Sequence, residues 1–297
     1  MSIKTEYTSC LEEFHNIYDF LEKREIKSIE KLESLWRKQN IILRVRCSKG
    51  DYIFKIIKDP EEETEIQRIQ IMKQVYPELI PDIYLVEQNS ILMDYIRGES
   101  FFGLKESERV EKIDFAGESL KKSYFGKNGY PKKDISAKVL AGFERYRKTR
   151  ARFFLNDELR LNKEHFDIFK DVSTQPSHND LNALNLIYGR EIKLIDPSDE
   201  GFEDISRDIG RYCASCFFNN YDHYGNNKKH SIEIAEAFLD HFDSHTLERA
   251  KYFIGESFLS FLNFDTVSVL KLSLKTLAMN LLLKKGKIIS LLERSLE

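Results

Sequence analysis

The polar side chains between Ser177 and Asp196 have the residue types and spacing that metal-assisted chemistry requires. Gly189-Arg190 separates two short apolar runs and is typical of a two-residue turn, so these runs are predicted to form a β-hairpin. Because side chains alternate between the faces of a strand, Asn185 and Asp196 are predicted to share one face and one end of this hairpin. An amide oxygen and a carboxylate held together suit a hard cation such as Mg²⁺. Asp180 can face the same place from the preceding loop.

The order of these residues is that of phosphoryl-transfer enzymes of the kinase type. His178, Asp180 and Asn185 form a His-x-Asp-x-x-x-x-Asn pattern, and Asp196 follows. In such enzymes the first Asp orients the attacking hydroxyl, while the Asn and the later Asp hold the metal. The His-x-Asp-x-x-x-x-Asn pattern alone occurs by chance in many chains, and a hairpin with polar ends is the simpler interpretation. The second Asp, Asp196, lies at the matching end of the hairpin and favours the catalytic interpretation.

The elements that must position these residues divide into a strand-rich first third and a mainly helical remainder. A helix from Ser9, with a capping box to Glu12, is predicted to pack on a sheet. Strands are predicted at 40–47, 52–57, 81–86 and 90–96, and a helix follows Pro60. We therefore predict a two-lobed α+β fold with a cleft between the lobes. Residues 1–97 would form a small β-rich lobe with one lysine-pairing helix, and residues 98–297 a larger helical lobe.

Two charged residues of the first lobe could serve the same chemistry. Lys55 stands inside an apolar strand; such a lysine usually lies on a solvated edge, but in a kinase-like sheet it would hold nucleotide phosphates. Glu65 lies beside the inward stripe of the following helix and could pair with Lys55. A solvated surface position is the simpler interpretation of Glu65, and the residues alone favour it.

Composition argues against several other classes of protein. With 297 residues, 41% of them apolar and 32% charged, the chain is predicted to be a soluble globular protein with a substantial core. A formal net charge of −3 gives no electrostatic reason to expect nucleic acid as the partner. The first residues lack the apolar core of a signal peptide, and four lysines interrupt the apolar C-terminal run, so no membrane span is expected. Those lysines are Lys271, Lys275, Lys284 and Lys285.

The four cysteines are too few for a disulfide framework and favour a reducing cytoplasm. Cys213 and Cys216 form a single CxxC within a helical segment. A pair facing the core is the favoured interpretation, ahead of a zinc or redox site.

Three motifs resemble the aminoglycoside phosphotransferase and choline/ethanolamine kinase superfamily, small-molecule relatives of the protein kinases. The stretch His178-Asn179-Asp180-Leu181, followed by Asn185, is similar to the catalytic loop of the choline/ethanolamine kinases. Asp196 followed by Asp208-Ile209-Gly210 is similar to the metal-binding segment of that family. Leu92 to Gly98 resembles the hinge of the antibiotic kinases. The resemblance covers roughly residues 27–216.

This resemblance implies a protein-kinase-like fold and an ATP- or GTP-dependent phosphotransferase that uses Mg²⁺. It makes Asp180 the catalytic base, with Asn185 and Asp196 as Mg²⁺ ligands. It also makes Lys55 the residue that holds the α- and β-phosphates, with Glu65 as its partner.

The same resemblance assigns supporting roles to other residues. Backbone groups at Met93, Asp94 and Ile96 would contact the adenine edge. His178 and Asp208 would brace the catalytic loop. Replacing Asp196 should damage binding of the metal–nucleotide complex, whereas replacing Asp180 should mainly lower turnover.

The acceptor stays open among amino alcohols such as choline or ethanolamine, sugars and aminoglycosides. Pro197-Ser198 replaces the aromatic-acidic pair that usually follows the metal Asp of choline kinases, which weakens choline as the substrate. An aminated acceptor would need carboxylates, and the candidates are Asp199, Glu200, Glu203, Asp204, Asp222 and Asp240. A quaternary ammonium would need an aromatic cage. Its candidates, for which core packing is the favoured interpretation, are Tyr212, Phe217, Phe218 and Tyr221.

Two other functions stay open. A protein kinase is disfavoured because the sequence after Asp196 lacks an Ala-Pro-Glu motif. A catalytically silent nucleotide-binding or scaffold protein is suggested by the stretch from Ser34 to Asn40, which lacks the glycines usual in the phosphate-covering loop. The intact catalytic residues argue against that alternative. The expected partner is a small hydroxyl acceptor, and the chain is expected to be a monomer or a homodimer.

Overall fold

A computed structural model describes the protein at residues 7–32, 40–58, 64–126, 129–144, 163–198, 204–223 and 228–261. The chain divides into two compact units. The first comprises residues 1–98 and 189–199, and the second comprises residues 99–188 and 200–297. The predicted α+β class is confirmed, since the first unit contains a five-stranded sheet and the second is mainly helical.

Some features of the sequence fall outside the described residues. They are the glycine-free stretch at 34–39, the beginning of the helix after Pro60, the carboxylates of Asp199, Glu200 and Glu203, and the C-terminal lysines. The side chains of Phe218, Tyr221 and Asp222 also lie outside the description.

The sheet of the first unit is antiparallel throughout, with the strand order β1-β2-β3-β5-β4. Its strands are β1 (Ile26–Leu32), β2 (Ile41–Cys47), β3 (Gly50–Ile56), β4 (Ile83–Glu87) and β5 (Ser90–Asp94). The predicted strands are all present. Lys55 lies on the central strand β3, opposite Ile42 on one side and Ile91 on the other.

The predicted N-terminal helix is two helices, α1 (Thr8–Glu12) and α2 (His15–Glu22). The capping box at Ser9 was wrong, because Ser9 lies inside α1, whose N-cap residue is Tyr7. Phe14 interrupts the helix with φ −112° and ψ 82°, and its ring packs edge-on against Phe54, with centroids 5.3 Å apart. The Glu87 carboxylate accepts the N–H groups of Asn16 and Ile17 at the start of α2. Hydrophobic packing and this remote cap therefore decide where the second helix starts.

The core of the first unit lies between these two helices and the sheet. Leu11, Ile17 and Leu21 are fully buried, and they belong to one apolar cluster with Leu43 and Val45 of β2. The helix α3 (Glu65–Val75) follows β3 and buries Ile66, Ile69 and Met72. This packing fixes β3 and the start of α3, the two elements that carry Lys55 and Glu65.

The second unit consists mainly of helices. They are α4 (Glu106–Phe125), α5 (Ser136–Glu144), α6 (Ile205–His223), α7 (Lys228–Leu239) and α8 (Ser244–Phe261). Short 3₁₀ helices occupy Phe101–Gly103 and Lys163–Phe169. The short strands β6 (Lys132–Lys133) and β7 (Val172–Ser173) pair antiparallel. Helix α6 packs against α7 and α8, and α4 packs against α7.

Both strands of the predicted hairpin are present, as β8 (Leu186–Tyr188) and β9 (Ile192–Leu194). The boundary between the two units falls in the turn between them, at Gly189. None of the helices in the described ranges has the length and apolar character needed to cross a membrane.

Candidate functional site

The segment from Ser177 to Asp180 is irregular backbone that is held inside the second unit. Ser177, His178 and Asn179 are all fully buried. Buried backbone groups outside helices and strands must find partners elsewhere, since water cannot reach them. The carboxylate of Asp208 accepts hydrogen bonds from the N–H of His178 at 2.6 Å and the N–H of Asn179 at 2.7 Å. The structure therefore brings His178 and Asp208 together at the base of the loop.

Asp208 is itself fully buried in the first turn of α6. It also accepts a hydrogen bond from the hydroxyl of Tyr124 on α4, at 2.9 Å. Asn179 adopts φ 65°, a left-handed conformation that asparagine tolerates better than most residues. The two N–H bonds to Asp208 hold the backbone in this turn, which directs the next residue, Asp180, out of the buried segment.

Asp180 is partly open to solvent, with 29% of its side chain exposed. Arg211 donates to one carboxylate oxygen, Oδ1, at 2.9 Å, and to the carbonyl oxygen of Asn179 at 3.0 Å. Asn185 approaches from the other side: its Nδ2 lies 2.9 Å from the backbone oxygen of Asp180 and 3.3 Å from Oδ2. Asn182 donates to the same backbone oxygen at 3.1 Å. Asp180 is thus fixed by side chains on both carboxylate oxygens.

Arg211 is the residue of this cluster that sequence reasoning missed. It lies three residues after Asp208 on the same helix, so the two side chains share one face of α6. The sequence does show a basic residue one helical turn after Asp208, the residue predicted to brace the loop. It does not show how the loop lies on the helix, so the contact between Arg211 and Asp180 could not be predicted.

Lys55, Glu65 and Asp196 meet in the first unit. The Nζ atom of Lys55 lies 2.5 Å from Oε1 of Glu65 and 2.7 Å from Oδ1 of Asp196. Both members of the Lys55–Glu65 pair are 4% exposed. The surface position favoured for Glu65 was therefore wrong, because α3 packs its first residue toward the sheet. The side chain of Asp196 is 44% exposed, so one end of this group of charges is open to solvent.

The charge of Lys55 is fixed by its two partners. Burial by itself lowers the pKa of Lys55, but the carboxylates of Asp196 and Glu65 outweigh it and raise the pKa above its usual value. The ammonium is therefore held in a dry position, where its field is weakened less than in bulk water. Asp196 follows β9 in the left-handed region, with φ 55°. Non-glycine residues in such strained conformations concentrate at functional sites.

The predicted hinge lies at the end of β5 and just beyond it. Met93 and Asp94 are the last two residues of the strand. The N–H of Asp94 is bonded to the carbonyl of Asp82 at 2.9 Å, and the Asp94 carboxylate accepts the hydroxyl of Tyr84 at 2.7 Å. No hydrogen bond within the described ranges uses the backbone of Ile96. The backbone N–H and C=O of Ile96 therefore have no hydrogen-bond partner among the residues that the structure describes.

The described residues that were candidates for binding an aminated acceptor are mostly buried. Tyr212 and Phe217 are buried, and the Tyr212 ring lies 5.0 Å from that of Phe238, so the predicted core packing is confirmed for both. Asp204 is fully buried, and its carboxylate accepts the Nε–H of Arg249 at 2.9 Å. Asp240 is exposed. Of the described candidates, only Asp240 has a carboxylate on the surface.

The CxxC pair faces the core, as predicted. Cys213 and Cys216 are free thiols and are 2% and 1% exposed. Burial raises the pKa of Cys213 to about 12 and that of Cys216 well above its usual value. Such thiols stay protonated and inert. Within the described part of the chain, no three His, Cys, Asp or Glu side chains are grouped as ligands of a metal ion.

No protein-family model matches the sequence, and no curated protein matches it either. Solved structures, by contrast, match nearly the whole chain. The choline kinase LicA from Streptococcus pneumoniae has a TM-score of 0.59 at 16% identity, over 94% of this chain and 99% of that one. The GDP complex of aminoglycoside 2'-phosphotransferase-IIIa has a TM-score of 0.55 at 16% identity, over 99% of both chains.

A third structure is a thermostable mutant of aminoglycoside phosphotransferase APH(4)-Ia with ADP and hygromycin B. It has a TM-score of 0.57 at 12% identity, over 93% of this chain and 97% of that one. At these identities the likeness establishes the fold. The chain has the kinase-like α+β fold that these small-molecule phosphotransferases share, as its motifs predicted.

Proposed function

We propose that the chain is a kinase that transfers the γ-phosphate of ATP or GTP to a hydroxyl group of a small polar molecule. The observation that supports this most directly is the buried Lys55, which lies within 2.7 Å of carboxylate oxygens of both Glu65 and Asp196. Burying such a group of charges costs several kcal/mol per ion unless each charge is well paired. Its arrangement is the one that kinases use to hold a nucleotide. The structures of similar fold include kinases and complexes with GDP and ADP.

In this proposal the residues of the first unit bind the nucleotide. The ammonium of Lys55 contacts the α- and β-phosphates, and Glu65 keeps it in place. Ile96, with Met93 and Asp94, contacts the adenine edge. Asp196 offers a carboxylate that is 44% exposed, and Asn185 offers an amide; both are the hard oxygen ligands that Mg²⁺ prefers. Bound Mg²⁺ would neutralise charge that develops on the phosphates.

The residues of the second unit act on the acceptor. Asp180 orients the acceptor hydroxyl and takes its proton as the oxygen attacks the γ-phosphorus. Because phosphoryl transfer needs little covalent help, accurate positioning of this carboxylate is the main contribution. His178 and Asp208 support it by fixing the backbone that leads to Asp180.

We further propose that residues 1–97 act as the nucleotide-binding lobe and residues 98–297 as the lobe that carries the catalytic loop and the acceptor site. The acceptor is an amino alcohol, a sugar or an aminoglycoside. The protein acts in the cytoplasm, in keeping with its four free thiols, as a monomer or homodimer and without nucleic acid. A catalytically silent nucleotide-binding protein is the alternative, and the experiments below separate the two.

The first test is thermal unfolding with Mg·ATP and with Mg·GTP, for the wild type and for Asp196→Ala. A ligand at a hundredfold excess over its Kd adds about 2.7 kcal/mol to the stability of the native state, which raises Tm by several degrees. We expect a metal-dependent rise that Asp196→Ala abolishes. Asp19→Ala, which removes an exposed carboxylate on α2, is the matched control and should keep the rise. A wild type that responds to neither nucleotide would refute the proposal and favour a scaffold.

The second test separates binding from turnover with Asp180→Asn. ADP release is measured over a panel of amino alcohols, sugars and aminoglycosides. Loss of a general base lowers turnover by about a hundredfold or more, whereas Asp180 is not among the residues proposed to contact the nucleotide or the metal. We therefore expect a large fall in kcat and an unchanged thermal shift with nucleotide. Equal activity of the variant and the wild type would exclude Asp180 as the base.

A further inference from the structure

Arg211 places a positive charge at the carboxylate that the proposed reaction uses. Its Nη2 lies 2.9 Å from Oδ1 of Asp180, and its side chain is 24% exposed beside a carboxylate that is 29% exposed. Both charges therefore reach solvent at the same place. Arg211 is also held in position, because its Nη1 donates to the carbonyl oxygen of Asn179.

Two carboxylates near Asp180 that the structure describes, Asp208 on α6 and Asp204 just before it, already have partners. Asp208 is buried and accepts hydrogen bonds from two backbone N–H groups and from Tyr124. Asp204 is buried and paired with Arg249. Among the residues of this loop and helix that the structure describes, the solvent-accessible ions around Asp180 thus form a neutral pair of one carboxylate and one guanidinium.

An acceptor hydroxyl must come within hydrogen-bond distance of Asp180, roughly 2.6–3.2 Å, to pass its proton to the carboxylate. The rest of a small acceptor then lies within a few ångströms of the guanidinium of Arg211. Because the guanidinium cancels the charge of the carboxylate, the pair exerts no net attraction on an ammonium group at that distance, and the cost of removing the ammonium from water is not offset. The hydroxyls of a neutral acceptor, by contrast, can accept hydrogen bonds from the guanidinium.

We propose that Arg211 makes this a site for an uncharged polyol or sugar, and that it selects against amino alcohols and aminoglycosides. This inference rests on the proposed kinase function and narrows its acceptor class. The buried positions of Tyr212 and Phe217 agree with it, because neither ring is available to cage a quaternary ammonium.

The test uses pairs of acceptors that differ in charge but little in shape. Choline is compared with its neutral carbon isostere 3,3-dimethylbutan-1-ol, and glucosamine with glucose, at about pH 6.5, where the amines are charged. The readout is the ratio of kcat/KM within each pair, together with binding of each compound by calorimetry in the presence of a non-hydrolysable nucleotide and Mg²⁺. We expect the wild type to prefer the neutral member of each pair.

Arg211→Gln should shift this ratio toward the cationic member by about tenfold, a change of about 1.4 kcal/mol. Arg211→Lys keeps the charge and should keep the wild-type preference. The control variant Arg46→Gln removes an exposed guanidinium of β2 and should leave the ratio of kcat/KM unchanged. If Arg211 had a purely structural role, its replacement would lower kcat/KM equally for both members of a pair. The ratio would then stay unchanged, which would overturn the inference.

The remaining outcomes are also decisive. A wild type that binds Mg·ATP but prefers choline or glucosamine, or that neither binds nor phosphorylates any compound of the panel, would refute the inference and leave the nucleotide site intact. A wild type without any nucleotide-dependent thermal shift would refute the proposed function itself, and the inference with it.

Discussion

Lys55 and Asp180 are both held by side chains of opposite charge, but with different degrees of burial. Lys55 is 4% exposed and lies between two carboxylates, one of which is as buried as the lysine itself. Asp180 is 29% exposed and bonded to a guanidinium that solvent also reaches. A deeply buried ion depends on its partner for stability, whereas a half-exposed ion is solvated in part. Removing a charge should therefore affect stability at Lys55 far more than at Asp180.

Lys55→Met tests this difference. The substitution leaves the carboxylate of Glu65 buried without the ammonium, and we expect a loss of about 3 kcal/mol in the free energy of unfolding, measured with urea. The double variant Lys55→Met/Glu65→Leu should recover most of that stability, because apolar side chains of similar size replace the pair. It should not recover the nucleotide-dependent rise in Tm. A double variant no more stable than the single one would contradict this account.

The same pair gives a prediction about pH. Since the folded-state pKa of Lys55 is raised above the value of about 10.4 in the unfolded chain, its stabilising contribution is complete below that pH and is lost only as pH rises toward the folded value. The stability difference between wild type and Lys55→Met should therefore be constant between about pH 7 and about pH 10. A difference that shrinks between about pH 7 and pH 9 would show that Lys55 is not the charged partner.

Helix α6 is the element that positions the loop of the proposed base, Asp180. The carboxylate of Asp208 accepts hydrogen bonds from the N–H groups of His178 and Asn179. One turn later, Arg211 donates to the carbonyl oxygen of Asn179 and to the carboxylate of Asp180. Between Asp208 and Arg211 lies Gly210, where α6 approaches α8. A Cβ atom built on Gly210 would lie 2.5 Å from the carbonyl oxygen of Ala250 and 2.8 Å from Cβ of Phe253. The absence of a side chain lets α6 pack closely enough to stay fixed beneath the loop.

Gly210→Ala should therefore destabilise the protein, although alanine is the better helix former by about 1 kcal/mol. Backbone atoms of α8 cannot move aside as a flexible side chain would, and overpacking of this kind costs about 1–3 kcal/mol. We expect a lower urea midpoint and, because α6 must shift, a lower kcat. An unchanged or raised midpoint would show that the two helices can separate without cost.

At the scale of the whole molecule, the first unit is assembled from two distant parts of the sequence. Residues 189–199 rejoin residues 1–98 after the chain has passed through the second unit. The N–H of Leu194 donates to the carbonyl of Leu79 at 2.7 Å, and Nζ of Lys193 donates to the carbonyl of Glu78 at 2.6 Å. Asp196 completes the group of charges around Lys55. Residues 1–98 by themselves thus lack both a packing segment and a proposed metal ligand.

Joining the two parts directly should restore what residues 1–98 lack. A Cβ atom on Gly189 would lie 2.8 Å from the carbonyl oxygen of Arg97, so the two chain segments are neighbours and a short glycine linker can connect them. We expect residues 1–98 linked to 189–199 to unfold more cooperatively, and at a higher temperature by circular dichroism, than residues 1–98 alone. The same fusion with Asp196→Ala should lose part of the gain. Identical melting of all three chains would contradict the assignment of 189–199 to this unit.

The sequence by itself determined four strands of the first sheet, both strands of the hairpin, the α+β class and the spacing of the motif residues. Those properties depend on local patterns: alternation in strands, a turn at Gly189, and polar residues at fixed intervals from Asp180 to Asp196. The predicted N-terminal helix was broken at Phe14, because a contact with Phe54 and a cap from Glu87 outweighed the local signals.

Only the tertiary structure decided which charges meet. The burial of Glu65 against Lys55 depends on how α3 packs on the sheet, and the contact of Arg211 with Asp180 depends on how an irregular loop lies across α6. Ion pairs between residues far apart in the chain leave no periodic trace in a sequence. Such ion pairs depend on packing that many other residues determine together. The sequence therefore identified the charged residues but could not show which of them form pairs.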